Sequence, residues 1–322
     1  MQTILLDATT PAYAVDAVAR AIEILRTGRL VAFPTETVYG LGADARSDEA
    51  VARIYQAKGR PSHNPLIVHV PDVAGARALA GEWNAMAEKL AARFWPGPLT
   101  IVVPAGLGLA ASVLAGGDTV GLRVPAHPLA LRLLRESGLP LAAPSANASN
   151  RISPTTAEAV LDSLDGLIDA VLDGGACTVG IESTVIDVTG DVPAILRPGR
   201  IGRGELSALL GVEVRCAGDG GGGALRSPGM MPRHYAPQVP LRLGGDSDAE
   251  SNAFRIRFGD RLEETDAGIV LPRTPTEAAR WLYWALRRGE TSGAEAIEVQ
   301  GLPDGEGWEA IRDRLSRAAT SE

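Results

Sequence analysis

The chain has 322 residues, enough for about two domains, and its 45% hydrophobic and 22% charged residues are typical of folded proteins and exclude intrinsic disorder. Its net charge is −8, with 16 basic and 20 acidic residues in 1–202 and 15 and 19 in the remainder, so neither half has the basic excess of a sequence-independent nucleic-acid binder. The two cysteines, Cys177 and Cys216, form no C-x-x-C pair, which excludes a disulfide framework and a cysteine zinc site.

Alternating helices and strands are predicted over the first 200 residues. Apolar residues at helical spacing, behind a capping residue or ahead of a glycine, predict helices over 11–26, 48–57, 84–94 and 128–136, with another starting near 155. Short apolar runs between turn residues predict strands over 30–33, 66–70, 99–103, 119–124, 139–143, 170–172, 183–188 and 194–196. Such alternation is typical of an α/β domain.

A change in composition follows a last predicted helix over 205–210. Residues 218–223 are almost all glycine, which is typical of a flexible linker. The next segment, 227–237, carries three prolines around Arg233, His234 and Tyr235. We expect this semi-rigid, cationic segment to act as a lid that closes over a bound anion.

The alternating pattern resumes from about residue 240. Strands are predicted over 254–258, 268–271 and 296–299, and helices over 276–288 and 308–317. The predicted division is therefore a first domain over 1–210, a linker and lid over 211–239, and a small C-terminal α/β domain over 240–322.

Several common signatures are absent from the sequence. There is no phosphate-binding G-x-x-x-x-G-K-[ST], no H-E-x-x-H and no G-x-S-x-G, and the glycines of 106–111 lack the acidic residue that a dinucleotide fingerprint has about 20 positions later. No signal peptide and no apolar run of roughly 18 residues is found. We therefore predict a soluble, cytoplasmic protein with no membrane partner and no metal held by its own side chains.

Polar residues follow several predicted strands, where α/β proteins place their ligand sites. They lie in 33–42, 143–147, 182–184 and 196–199, and Lys58-Gly59-Arg60-Pro61 ends a predicted helix. Each segment also has an ordinary explanation, since Gly, Pro and Thr form turns and a helix C-terminus favours cations. Arg123 lies inside an apolar strand, and a buried arginine requires an anionic partner. Together they favour binding of a polyanion, such as a nucleotide triphosphate, and of a carboxylate, without naming the substrate.

The same segments resemble the threonylcarbamoyl-AMP synthase family, in its long form with a YrdC-like first domain, from about residue 10 to about 240. The motifs that carry the resemblance are PTETVYGL at 34–41, KGRP at 58–61, NPLIVH at 64–69, WPGPLT at 95–100, RVP at 123–125, APSAN at 143–147, ST at 183–184 and LRPG at 196–199. Lys58/Arg60 and Ser145/Asn147 match the K-x-R and S-x-N pairs of the family's signature. The resemblance implies a twisted mixed-sheet YrdC-like domain, a linker, and a second, smaller α/β domain.

The resemblance also implies an activity. Members of the family are nucleotidyltransferases that combine L-threonine, bicarbonate and ATP, with Mg2+ accompanying ATP, into threonylcarbamoyl-AMP, pyrophosphate and water. A separate threonylcarbamoyl transferase complex then modifies an adenosine of tRNA, so that tRNA is an indirect partner only.

Site residues follow from the family motifs, position by position. The implied threonine site consists of Thr37, His69, Arg123, Ser183 and the main chain at Ala143. The implied ATP site consists of Arg60, Asn64, Thr119, Ser145, Ser153 and Arg197. Lys58 and Asn147 are expected beside the phosphates, and the implied catalytic residues are Lys58, Arg60, Ser145 and Asn147. The carboxylate of threonine is expected to be the anion that buried Arg123 requires.

Two features remain open at this point. A tyrosine that some members carry two residues before His234 is Pro232 here, which puts a contact from that position to the nucleotide in doubt. No residue stands out as a general base, so we expect proximity of the threonine amine to bicarbonate or CO2 to be the main effect.

Two rival functions use a related scaffold. The first is an RNA-binding or ribosome-associated module, which the excess of acidic residues in 1–202 disfavours. The second is carbamoyl transfer in hydrogenase maturation, which would require acylphosphatase and zinc-finger segments that this sequence does not contain.

Overall fold

Two β-sheets with helices packed on them make up the described part of the chain. The computed structural model describes residues 2–216, 234–244, 252–265, 267–305 and 307–319. Within these residues, no helix is both long enough and apolar enough to cross a membrane.

Eleven strands form the first sheet. They are β1 (Ile4–Asp7), β2 (Val31–Phe33), β3 (Gly40–Asp44), β4 (Ile67–His69), β5 (Leu99–Pro104), β6 (Thr119–Arg123), β7 (Leu141–Ala142), β8 (Ala170–Asp173), β9 (Thr184–Asp187), β10 (Ala194–Arg197) and β11 (Arg215–Cys216). Their spatial order is β1-β8-β2-β3-β7-β4-β6-β5-β9-β10-β11, with parallel and antiparallel pairs mixed. The mixed-sheet fold implied by the sequence is confirmed, and β11 extends this sheet beyond residue 210.

Eight helices accompany this sheet. They are α1 (Pro11–Arg26), α2 (Asp48–Lys58), α3 (Val73–Leu79), α4 (Ala85–Phe94), α5 (Ala111–Leu114), α6 (Pro128–Ser137), α7 (Ala157–Leu164) and α8 (Arg203–Leu210). The ends of α2 follow its sequence, since the Ser47 hydroxyl accepts from the amide of Ala50 at 3.2 Å and Gly59 ends the helix at a φ of 60°. This end places Lys58 against the main-chain oxygens of Ser145 and Asn147, in the loop after β7.

One prediction about the first sheet is wrong. Residues 33–42 are expected to be a ligand-binding loop, but Gly40–Asp44 is β3, which pairs with β2 so that Phe33 faces Gly40. Glycine has a low strand propensity, so the sequence does not predict β3. The close packing of β3 on Phe33 nevertheless requires glycine, because a Cβ on Gly42 would lie 2.9 Å from Cε1 of Phe33. The loop is therefore confined to residues 34–39.

Within the described residues, the second sheet consists of five strands, and two helices pack against it. They are β12 (Leu241–Leu243), β13 (Ala253–Gly259), β14 (Glu263–Thr265), β15 (Gly268–Pro272), β16 (Ala296–Val299), α9 (Pro275–Thr291) and α10 (Glu309–Ala319). The order is β12-β16-β13-β15-β14, and only the pairing of β14 with β15 is antiparallel within the described strands. The short outer strands β12 and β14 were not predicted.

The two domains pack closely through a loop that precedes β9. Gly180, at a φ of +83°, lies so near α9 that a Cβ there would be 2.5 Å from the main-chain oxygens of Ala279 and Arg280. Arg151 and Glu290 form an ion pair across the same contact, and Nη2 of Arg287 donates to the main-chain oxygen of Ile152 at 2.8 Å. The first domain is therefore held directly against α9 of the second domain.

Replacing Gly180 by alanine tests this contact, with Gly175→Ala as the matched control. Gly175 has the same φ of +83° but no heavy atom within 4 Å of an added Cβ. Both variants should lose about 1–2 kcal/mol to backbone strain. Gly180→Ala should lose about 1–3 kcal/mol more, because its Cβ meets the backbone of α9. Urea unfolding measures both losses, and equal losses would contradict the close packing.

Candidate active site

A cleft in the first domain collects loops and strand ends from across the large sheet. About 520 Å3 of unfilled space, part of it open to solvent, lies beside the 34–39 loop and the ends of β4, β6 and β10. Its lining consists of Thr35, Thr37, Val38, Gly40, Arg60, Ile67, His69, Arg123, Ala143, Pro144, Ser145, Glu182, Ser183, Arg197, His234 and Tyr235. His234 and Tyr235 lie just before the second domain and form part of this lining.

Most of the residues assigned from the sequence meet here. Those that line the cleft are Thr37, Arg60, His69, Arg123, Ala143, Ser145, Ser183, Arg197, His234 and Tyr235. Those that do not line it are Lys58, Asn64, Thr119, Asn147 and Ser153. Arg233 and Pro232 are outside the described residues. The ligand roles of all these residues remain predictions.

Lys58 lies behind the cleft wall with its ammonium group turned onto main-chain oxygens. Its Nζ donates to the oxygen of Ser145 at 2.6 Å and to that of Asn147. The side chain is only 3% exposed, and this burial, with the positive charge of Arg60 nearby, lowers the pKa of Lys58 well below its usual value. No carboxylate pairs with Lys58 among the described residues, so an anion entering beside Ser145 would give it a charged partner.

Three buried guanidinium groups line the cleft. Nε of Arg60 donates to the main-chain oxygen of Asn64 at 3.4 Å, and its Nη2 donates to that of Pro65 at 3.1 Å. Nε and Nη2 of Arg197 both donate to the main-chain oxygen of Ser183, at 3.1 and 3.0 Å. In Arg60, Arg123 and Arg197 alike, Nη1 makes no hydrogen bond to any described residue. Burial lowers the pKa of Arg60 to about 10, so the group stays charged at neutral pH. Three cations with donors to spare favour an anionic ligand.

Arg123 already has the anionic partner that its burial requires, and this partner is Glu36. Its Nη2 donates to Oε1 of Glu36 at 2.6 Å, and Oε2 of Glu36 accepts from the amide of Ala126 at 3.0 Å. The burial of Arg123 therefore gives no reason by itself to expect the threonine carboxylate as its partner, and its role in threonine binding stays a prediction. The acidic residue in the 34–39 loop was a signal in the sequence that could have identified this pair.

Several buried polar atoms at the cleft have no partner within the described residues. They are Nδ1 of His69, Nδ1 of His234, the hydroxyl of Tyr235 and Oδ1 of Asn147. Such atoms are costly unless a ligand or water satisfies them. Burial lowers the pKa of His69 well below its usual value and that of His234 to about 3, so both rings are neutral at pH 7. Tyr235 also has a φ of 61°, a strained conformation that is common at ligand sites.

Glu182 is a cleft residue that belongs to the polar segment 182–184 noted in the sequence, where it was given no role of its own. Its Oε1 accepts from the hydroxyl of Ser153 at 2.5 Å, so Ser153 contacts this carboxylate and does not face the cleft directly. Two residues of the second domain, Tyr283 and Arg314, also donate to it, at 2.9 and 2.8 Å. Burial alone would raise the pKa of Glu182, but Arg314, Arg197 and Ser153 outweigh it and lower the pKa to about 2.

Within the described residues, no group of three or more His, Cys, Asp and Glu is placed to hold a metal ion. Glu182, which lines the cleft, and Glu36, which holds Arg123 there, are both paired with arginines.

Comparison with known proteins identifies the family. A model described as telomere recombination matches residues 23–199, and one described as the C-terminal domain of threonylcarbamoyl-AMP synthase matches residues 201–320. The threonylcarbamoyl-AMP synthase of Bacillus subtilis is 42% identical over 94% of this chain and 92% of its own. The chain belongs to the threonylcarbamoyl-AMP synthase family. The family that the sequence motifs suggested is thereby confirmed.

Solved structures of threonylcarbamoyl-AMP synthase relatives agree with this fold. The crystal structure of Pyrococcus abyssi Sua5 complexed with L-threonine superposes with a TM-score of 0.89 at 36% identity, covering 99% of this chain and 98% of that one. The curated threonylcarbamoyl-AMP synthase from the same organism is 40% identical over 93% of each chain. Escherichia coli YciO, at 24% identity and a TM-score of 0.54 over 62% of this chain, shares the fold of the first domain.

Proposed function

We propose that this cleft joins L-threonine, bicarbonate and ATP into threonylcarbamoyl-AMP, with release of pyrophosphate and water. The observation that carries the proposal is the convergence of three buried guanidinium groups with unused donors on one cleft, with Lys58 directly behind its wall. The relatives named as threonylcarbamoyl-AMP synthases, and a relative's structure with L-threonine, support the choice of substrates. In this reading the chain is a nucleotidyltransferase.

The threonine end of the cleft is assigned to the surroundings of Arg123. Its unused Nη1 would bind the threonine carboxylate, while Glu36 holds the other side of the guanidinium group in place. Neutral His69 supplies an unpartnered Nδ1. The hydroxyls of Thr37 and Ser183 are oriented by Thr35 (2.8 Å) and Thr100 (2.7 Å), and the main chain at Ala143 completes this end.

The nucleotide end is assigned to Arg60, Arg197 and Ser145, with Lys58 and Asn147 behind them. Asn64 holds Arg60 through its main-chain oxygen, and Ser153 acts through Glu182. Thr119 begins β6, the strand that ends at Arg123, so the two lie about 13 Å apart at the usual rise of a strand. Thr119 can contact the nucleotide only if the adenosine extends along that strand.

Mg2+ would enter with ATP and not through a protein cage. The carboxylates at the cleft are already paired with arginines, so the phosphates and water are the oxygen ligands left for it. When bound, Mg2+ supplies further neutralisation of phosphate charge.

The chemistry requires mainly that the substrates be held together. The threonine nitrogen attacks the bicarbonate carbon with loss of water, and an oxygen of the resulting carbamate attacks the α-phosphorus as the bond to pyrophosphate breaks. Arg60 and Lys58 would offset the charge that develops on pyrophosphate. Orientation beside Arg123 and Arg197 supplies the proximity, and no residue is assigned as a general base.

The product determines the further partners that we propose. Threonylcarbamoyl-AMP is a mixed anhydride that water destroys, so the segment of His234 and Tyr235 would shield it as a lid. A separate threonylcarbamoyl transferase complex would consume it to modify an adenosine of tRNA, which makes tRNA an indirect partner and the cytoplasm the place of action.

Omitting substrates one at a time tests the proposed function. Pyrophosphate release from ATP and Mg2+ should require threonine and bicarbonate together, because the acyl group on AMP is built from both. A coupled pyrophosphate assay in bicarbonate-depleted buffer, with each component restored in turn, measures this. ATP turnover that is indifferent to threonine would overturn the proposal.

A further inference from the structure

We propose that Arg314, in α10 of the second domain, is a positioning residue of the active site in the first domain. It neutralises Glu182 and thereby leaves Arg197 free to bind the nucleotide. The inference rests on the proposed function and assigns the second domain a part in it. Neither Glu182 nor Arg314 was among the residues assigned from the sequence.

All three nitrogens of the Arg314 guanidinium group are engaged. Nε donates to Oε2 of Glu182 at 2.8 Å, Nη2 to the main-chain oxygen of Pro198 at 3.0 Å, and Nη1 to Oδ2 of Asp313 at 2.7 Å. The side chain is fully buried, and its Cζ lies 4.9 Å from the centre of the Tyr235 ring. Arg314 does not line the cleft and its side chain is fully buried, so its effect on the reaction must pass through the groups that it holds.

Two of those groups belong to the nucleotide end of the cleft. Glu182 lines the cleft, and Pro198 directly follows Arg197. The turn after Pro198 packs on the start of β9, the strand that follows Ser183. A Cβ on Gly199 would be 2.3 Å from the amide nitrogen of Thr184. Arg314 therefore joins the residue before Ser183 to the residue after Arg197, and fixes the distance between the two segments.

The charges around Glu182 explain how Arg314 affects nucleotide binding. Arg197, His234, Tyr235, Tyr283 and Arg314 all interact with its carboxylate, and Asp313 lies beyond Arg314. Of these, Arg197 and Arg314 carry a positive charge at neutral pH. Without Arg314, a buried anion would remain in the cleft wall, where it would repel phosphates and attract Arg197. Burial would then raise the pKa of Glu182 above its present low value.

The test compares Arg314→Met, which removes the charge, with Arg314→Lys, which keeps it, and with the double variant Glu182→Gln/Arg314→Met. Arg312→Met is the matched control, since Arg312 lies on the same helix but pairs with exposed Asp304. Threonine-dependent pyrophosphate release gives kcat and KM for ATP at pH 6–8, and thermal unfolding checks each fold.

Arg314→Met should raise the KM for ATP about tenfold or more, with the double variant and Arg314→Lys within about threefold of the wild type. The KM of Arg314→Met should fall as the pH is lowered from 8 to 6, because a protonated Glu182 no longer holds Arg197. The double variant should lack this pH dependence, and Arg312→Met should match the wild type.

A double variant no better than Arg314→Met would mean that Arg314 serves only to pack the domains, and would overturn the inference. Wild-type activity in Arg314→Met would also overturn it. If the wild-type chain itself shows no threonine-dependent release, the proposed function fails instead, so the two failures are distinguishable.

Discussion

Replacing Lys58 by methionine is expected to lower the kcat of pyrophosphate release by about 100- to 1,000-fold, the usual cost of removing one preorganised group that stabilises developing charge. Lys58 is buried and its ammonium group contacts only main-chain oxygens of Ser145 and Asn147 among the described residues. The departing pyrophosphate would be its natural counterion. Steady-state assays over a range of ATP concentrations separate this loss of kcat from a change in KM.

The chain supplies its own control for that substitution. Lys89, the other lysine of the sequence, is exposed on α4, and Lys89→Met should leave kcat unchanged. Thermal unfolding should show both variants folded. A Lys58→Met protein with a kcat within about threefold of the wild type would remove Lys58 from the proposed chemistry.

Replacing Arg123 by methionine should weaken threonine binding by about 2–5 kcal/mol, the cost of truncating one partner of a buried charge pair. Its effect on ATP binding should be much smaller, because Arg123 lies at the threonine end of the cleft. Calorimetric titration with each ligand measures the two changes separately. Arg132→Met, which removes a partly exposed arginine from α6, is the control and should bind both ligands normally.

The pairing of Arg123 with Glu36 requires a second variant. Arg123→Met alone leaves Glu36 buried without its partner, which can destabilise the fold by about 3–5 kcal/mol. The double variant Glu36→Gln/Arg123→Met removes both charges and should regain stability without regaining threonine affinity. Threonine binding at wild-type strength in the double variant would show that Arg123 does not bind the carboxylate.

Elements with a strong periodic pattern could be predicted from the sequence. The helix predicted over 48–57 is α2 (Asp48–Lys58), with Ser47 as its cap and Gly59 at its end, because both signals are local. β3 was missed since its glycines have low strand propensity, and its stability comes from Phe33 and from the neighbouring strands β2 and β7. Packing between distant segments overrode local propensity there.

The residues of the candidate site likewise fall into those that local motifs predict and those that depend on contacts between distant segments. Residues within short motifs, such as Arg60 and Ser145, could be assigned because the motifs themselves are contiguous. Arg314 could not, since it meets Glu182 across 132 residues of sequence and lies in a domain with few recognisable motifs. The partner of Arg123 was likewise missed because Glu36 is 87 residues away.

The most direct test of the account is to follow the carbon of bicarbonate into the product. The wild-type chain is incubated with ATP, Mg2+, L-threonine and 13C-bicarbonate, and the adenylate is analysed at once by mass spectrometry. The account predicts a threonylcarbamoyl-AMP whose mass is raised by the label in its carbamoyl group, formed in equal amount to pyrophosphate. An adenylate without the label, or pyrophosphate without any adenylate that contains threonine, would contradict it.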